Sequence, residues 1–191
     1  MYKSILQAAF LAAFAAPAMA HTGLELGGIG AGLLHPLLGL DHLAVMLAVG
    51  AWAGVTCGRL AWLPQIAFPL FMAAGAVLAY WGLPLAGTET GIAGSVLVVG
   101  LLLLGLVRLP AAAAGLLVAL FAVLHGSAHG AEMPEAARPW AYGLGFIAAT
   151  AVLHLGGFAL AKALERFHAT ALLRGTGAVV GLFGAWLVWA G

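Results

Sequence analysis

Apolar residues run in six long blocks, about Leu24 to Val55, Trp62 to Leu83, Ile92 to Val107, Ala111 to Leu124, Trp140 to Leu164 and Ala171 to Trp189, each closed by charge, proline or glycine. A helix that crosses a bilayer needs about 20 mostly apolar residues. The pattern therefore predicts an all-α membrane protein: a compact bundle of about six transmembrane helices in a single domain over residues 21–191. Ahead of it, Lys3, the apolar stretch Ile5 to Ala16 and the small residues of Ala18-Met19-Ala20 read as a cleavable signal peptide over residues 1–20. Cleavage there puts His21 at the amino terminus, where imidazole and free amine can chelate a metal. The first block is too long for one straight span, and Pro36 in its middle lacks an N–H, so a continuing helix leaves the carbonyl of Gly32 unpaired. A break near Pro36 is expected. At membrane depth, irregular backbone survives only under protein or beside a water-filled cavity, and broken helices recur at transporter ion sites.

Composition sharpens this picture by exclusion. Of 191 residues, 64% are hydrophobic and 7% charged, against roughly 25% charged in a soluble domain. The net charge of +1 carries no nucleic-acid footprint. Cys57 is the only cysteine, so neither an intrachain disulfide nor a cysteine-rich metal site is available, and a metal must be held by histidine and carboxylate. The cations set an orientation. With the mature amino terminus outside, Arg59, Arg108, Lys162, Arg166 and Arg174 fall in cytoplasmic connections and only Arg138 falls outside, as the positive-inside rule requires. Two blocks of three spans are then related by inverted topology, although no sequence repeat stands out. Glycines at Gly28 and Gly32, Gly50 and Gly54, Gly126 and Gly130, and Gly177 and Gly181 have the spacing of close helix contacts.

Against this background the ionisable residues inside spans stand out, since each costs about 2.5 to 3.5 kcal/mol on insertion scales. In His35-Pro-Leu-Leu-Gly-Leu-Asp41-His42 the two histidines are seven apart, and a break near Pro36 lets Asp41 converge with them. Met46, one turn beyond His42, offers a soft sulfur. In His125-Gly-Ser-Ala-His129-Gly-Ala-Glu132 the spacing of four and three puts two imidazoles and a carboxylate on one helix face. Glu89, in the loop after the second span, is a candidate carboxylate at the mouth of a path. His154, within the fifth span, is either a further ligand or a core histidine. His168, among arginines, reads as solvated.

Those two motifs, with the signal sequence and the six-span length, resemble the HupE/UreJ family of small membrane proteins over essentially the whole chain. The first motif is also similar to the signature of the larger nickel/cobalt transporter family, but has five residues between His35 and the Asp41-His42 pair where that family has four. The resemblance implies a multi-pass protein of the bacterial inner membrane with a periplasmic mature amino terminus. It also implies nickel or cobalt as the transported ion, with no permanently bound cofactor, supplied for hydrogenase or urease maturation. A homo-oligomer and a cytoplasmic nickel chaperone are compatible partners.

No phosphate-binding glycine loop is present, so pumping driven by ATP has no support in the chain and a permease is the expected activity, not an enzyme. Neutral imidazole is the ligand form, so protons compete as pH falls through about 6.5. Residue chemistry alone leaves nickel, cobalt, zinc and copper open. It also leaves two rival classes: an intramembrane zinc hydrolase using Ser127 or a water, and a membrane cytochrome with histidine-ligated haem.

Overall fold

The computed structural model describes residues 28–133 and 138–191. The expected signal peptide and His21 lie outside these. Among the described residues there are seven α-helices and no strand: α1 (Ile29–Leu38), α2 (Leu40–Thr56), α3 (Trp62–Tyr80), α4 (Thr88–Gly105), α5 (Ala111–Ala131), α6 (Pro139–Arg166) and α7 (Thr170–Ala190). The last five are each long and apolar enough to cross a membrane. The pair α1 and α2 passes the same test together, bent by 86° at its break. Large apolar side chains such as Leu116, Leu182 and Trp189 face outward, the inverse of a soluble protein and the arrangement a lipid solvent favours.

The break falls at Gly39, three residues beyond the expected position. Pro36 is accommodated inside α1, and the chain leaves helical geometry only at Gly39, which is extended. Position 39 suits glycine for a local reason. A Cβ at Gly39 would lie 2.9 Å from His42 Nδ1 and 3.0 Å from Asp41 Oδ1, so glycine leaves room for the polar pair that opens α2.

Three glycine-lined seams hold the bundle. Along the parallel pair α2 and α6, Gly50 and Gly157 press on the carbonyls of His154 and Leu47. Along the parallel pair α3 and α5, Gly126 and Gly75 press on those of Met72 and Val123. Along the antiparallel pair α4 and α7, Gly100, Gly177 and Gly184 abut the backbones of Gly181, Leu104 and Leu97. At each of these, a methyl group would come within 2.4 Å of a neighbouring backbone atom.

The seams repeat. Gly50 and Gly54 stand 76 residues before Gly126 and Gly130, and Gly75 stands 82 before Gly157. Each glycine meets the counterpart of what its mate meets: Gly50 the carbonyl of His154, Gly126 that of Met72, again 82 apart. Gly100 and Gly177, 77 apart, are mates within the third seam. Exchanging the first half for the second turns the α2–α6 seam into the α5–α3 seam and the α4–α7 seam into itself. That is the form of an inverted repeat.

Among the described residues, five of the six lysines and arginines collect at one end, and only Arg138, at the start of α6, lies at the other. Trp52 Nε1 donates to the Val107 carbonyl at 2.8 Å, tying the link that carries Arg108 to the end of α2, next to Arg59. Lys162 and Arg166 close the parallel helix α6, and Arg174 opens α7. The seams give a direct stability test. Gly177→Ala should cost about 1–3 kcal/mol of overpacking, read as a lowered unfolding temperature in detergent. Gly175→Ala, two residues away with open space around its Cβ position, should be neutral; equal effects would contradict the seam.

Candidate metal centre

The site lies at the end of the bundle opposite Arg59, Arg108, Lys162, Arg166 and Arg174. Four histidines reach it from two segments far apart in sequence, His35 from α1, His42 from α2, and His125 and His129 from one face of α5. Their rings form a row: His35 to His129 at 4.7 Å, His129 to His42 at 4.4 Å, His42 to His125 at 5.1 Å. Glu132, immediately past the end of α5, heads the row, its Oε2 3.4 Å from His35 Nε2. His35 beside it holds the Glu132 carboxyl below its ordinary range, so it is ionised. Donor atoms of His35, His129 and Glu132 lie within 4.8 Å of one another, close enough for one cation to draw them together.

Access is greatest at the head of the row. Glu132 is 53% exposed, His35 29% and His42 12%, while His129 and His125 are buried. The buried histidines retain unused coordination capacity. His42 Nδ1 donates to Asp41 Oδ1 at 2.8 Å, and His125 Nδ1 donates to the Phe121 carbonyl at 2.8 Å. Both bonds place the proton on Nδ1 and leave the Nε2 lone pair free, and neither Nε2 has a partner among the described residues. Both ring nitrogens of His129 are also unpartnered. A buried polar atom without a partner costs about 1–3 kcal/mol, and a histidine whose second nitrogen is held by a carboxylate or carbonyl is the usual form of a metal ligand.

Asp41 is therefore an orienting group. Its Oδ1 also accepts the His42 backbone N–H at 2.8 Å, satisfying a donor in the first turn of α2. Glu89, at the start of α4, lines with Asp41 a cavity of about 290 Å³ that Thr90 and Leu187 help to enclose, on the same end of the bundle. Met46 is fully buried in the hydrophobic core. His154 is buried one step deeper, beyond Phe68, whose ring lies 5.5 Å from His125 and 4.8 Å from His154. Ser127 is buried, and its Oγ accepts the Leu85 N–H at 2.8 Å, tying the loop before α4 to the site helix.

Sequence reading missed the aromatic walls. Phe146 stands 4.1 Å from His129 and Tyr142 5.9 Å from His35, both from the first turns of α6. They lie in an ordinary apolar block. Only their spacing of four marks one face, and that spacing does not name the partner.

The match to known proteins follows the same motifs. The family model described as HupE / UreJ protein matches residues 9–187. The chain belongs to the HupE/UreJ family. It is 41% identical over 180 residues to Protein HupE of Rhizobium leguminosarum bv. viciae, covering 93% of this chain and 94% of that protein. No solved structure matches it. In this HupE/UreJ chain, Asp41→Asn should loosen the His42 tautomer. Transition-metal affinity of the purified protein should fall by about 10–100-fold, the usual effect of losing an orienting partner. Unchanged affinity would remove Asp41 from that role.

Proposed function

We propose that this chain is an inner-membrane permease for divalent nickel, with cobalt as a second cargo, that supplies metal for hydrogenase or urease maturation. The observation that carries the reading is the convergence of His35, His42, His125, His129 and Glu132 at one end of the bundle, with free lone pairs on buried imidazoles. Six spans, with α1 and α2 forming a broken first span and the mature amino terminus in the periplasm, put the cations Arg59, Arg108, Lys162, Arg166 and Arg174 inside and the histidine row outside.

In this arrangement the ion meets Glu89, Asp41 and Glu132 first, and their charge raises the local cation concentration at the mouth. Imidazoles then replace part of its hydration shell, His35 and His129 before His42 and His125. No single histidine needs to bind tightly, and conduction requires sites weak enough to release the ion. Borderline imidazole and carboxylate ligands suit nickel and cobalt, and family membership favours nickel among the metals this chemistry admits.

Radiolabelled nickel uptake in cells lacking their own importer tests the reading, with cobalt and zinc as competitors. Cells expressing the chain should accumulate nickel, and His42→Ala and His129→Ala should each reduce uptake at least tenfold at equal membrane abundance. Uptake no higher than in empty cells, or unaltered in both variants, would overturn it.

A further inference from the structure

A group of side chains outside the histidine row lies where the two halves of the bundle meet. Phe68 and Met72 are one turn apart on α3, and Thr150 and His154 one turn apart on α6; all four are buried. The Phe68 ring meets His154 at 4.8 Å, and Thr150 Oγ1 donates to Met72 Sδ at 3.9 Å. The repeat relation pairs Met72 with His154 and Phe68 with Thr150, so these two contacts are counterparts of each other. The quartet therefore straddles the pseudo-two-fold axis. It also lies at mid-depth: His154 is about 22 Å of helix from Pro139 and about 18 Å from Arg166 at 1.5 Å rise per residue. Transporters built from inverted repeats hold their ion near the midplane, at the repeat interface.

His154 is the member that calls for a ligand. An imidazole always carries a donor or a lone pair on each nitrogen, and neither nitrogen of His154 has a partner among the described residues. His125, by comparison, gives one nitrogen to a carbonyl four residues back. No carboxylate or cysteine joins the quartet, which leaves imidazole nitrogen, hydroxyl oxygen and thioether sulfur as its donors. That set suits a borderline transition cation better than magnesium or calcium, which prefer oxygen.

We infer that His154 is an inner station of the ion path, receiving a partly hydrated divalent transition cation on the repeat axis after it leaves His125 past the Phe68 ring. Thr150 and Met72 form the outward wall of this station. The inference rests on the permease reading and adds a second binding position to it, distinct from the outer row.

The test titrates nickel ion alone into the purified full chain in lipid nanodiscs, counting bound ions by equilibrium dialysis, beside uptake kinetics in cells. His154→Leu should bind one ion fewer than the parent while keeping outer-row affinity within about twofold. In cells its maximal uptake should fall at least tenfold with little change in KM. Should His154→Leu fail to reach the membrane, His154→Asn, which keeps a polar group of smaller reach, is read in its place with the same expectations. An unchanged ion count overturns the inner station even if uptake falls, since the loss would then be one of packing. A raised KM with unchanged maximal uptake also overturns it, because His154 would then act with the outer row. If the parent chain binds no nickel, the permease reading itself fails, which separates the two outcomes.

Discussion

The organising constraint is the direct contact of helix backbones at glycines. In a lipid solvent there is little hydrophobic force to bring apolar helices together, so association depends on close van der Waals packing. Gly50, Gly75, Gly100, Gly126, Gly157, Gly177 and Gly184 each let a neighbouring backbone approach to where a methyl group would stand. Those contacts fix the axial register of each seam to within a fraction of a turn. Everything at the site follows from that register. Because Gly126 rests against Met72, His125 falls beside Phe68 on α3. Because Gly145 and Gly32 close the approach of α1 to α6, His35 falls beside Tyr142 and Phe146.

Within that frame the histidines are arranged asymmetrically. The repeat mates of His125 and His129 in α2 are Val49 and Ala53, both buried and apolar. The two halves thus share a packing scheme, while the ligands of the outer row sit at one end of the molecule only. Partners that orient the rings are local and cheap: an aspartate one residue away for His42, a carbonyl one turn back for His125. Each leaves a nitrogen lone pair in a low-dielectric setting, where it has no partner among the described residues. Such groups are costly in a resting protein and useful only when an ion completes them.

Much of this was legible in the sequence. Apolar block lengths gave the helices, and the exceptions to apolarity, His35, Asp41, His42, His125, His129 and Glu132, are the residues that converge at one end, because a polar residue at membrane depth has few structural reasons to be there. Family resemblance agreed with the residue chemistry, and the family match over residues 9–187 bears it out. What stayed hidden depended on geometry between segments. The break falls at Gly39 and not at Pro36, because a helix tolerates loss of the one donor that proline removes, while the residue at 39 must leave room for Asp41 and His42. The bonds from Asp41 Oδ1 to the ring and backbone of His42 are contacts that spacing does not show. The inverted repeat was hidden at the level of residue identity, since it is carried chiefly by the seam glycines and the contacts they permit. The place of His154 on its axis was invisible with it.

The geometry of the outer row implies that several of its imidazoles hold one divalent ion together. X-ray absorption at the nickel edge on the purified chain, loaded with one equivalent of nickel, tests it most directly. The expected result is a nitrogen and oxygen shell with the multiple-scattering signature of at least two imidazoles. A shell of water oxygens alone, or one dominated by sulfur, would contradict it.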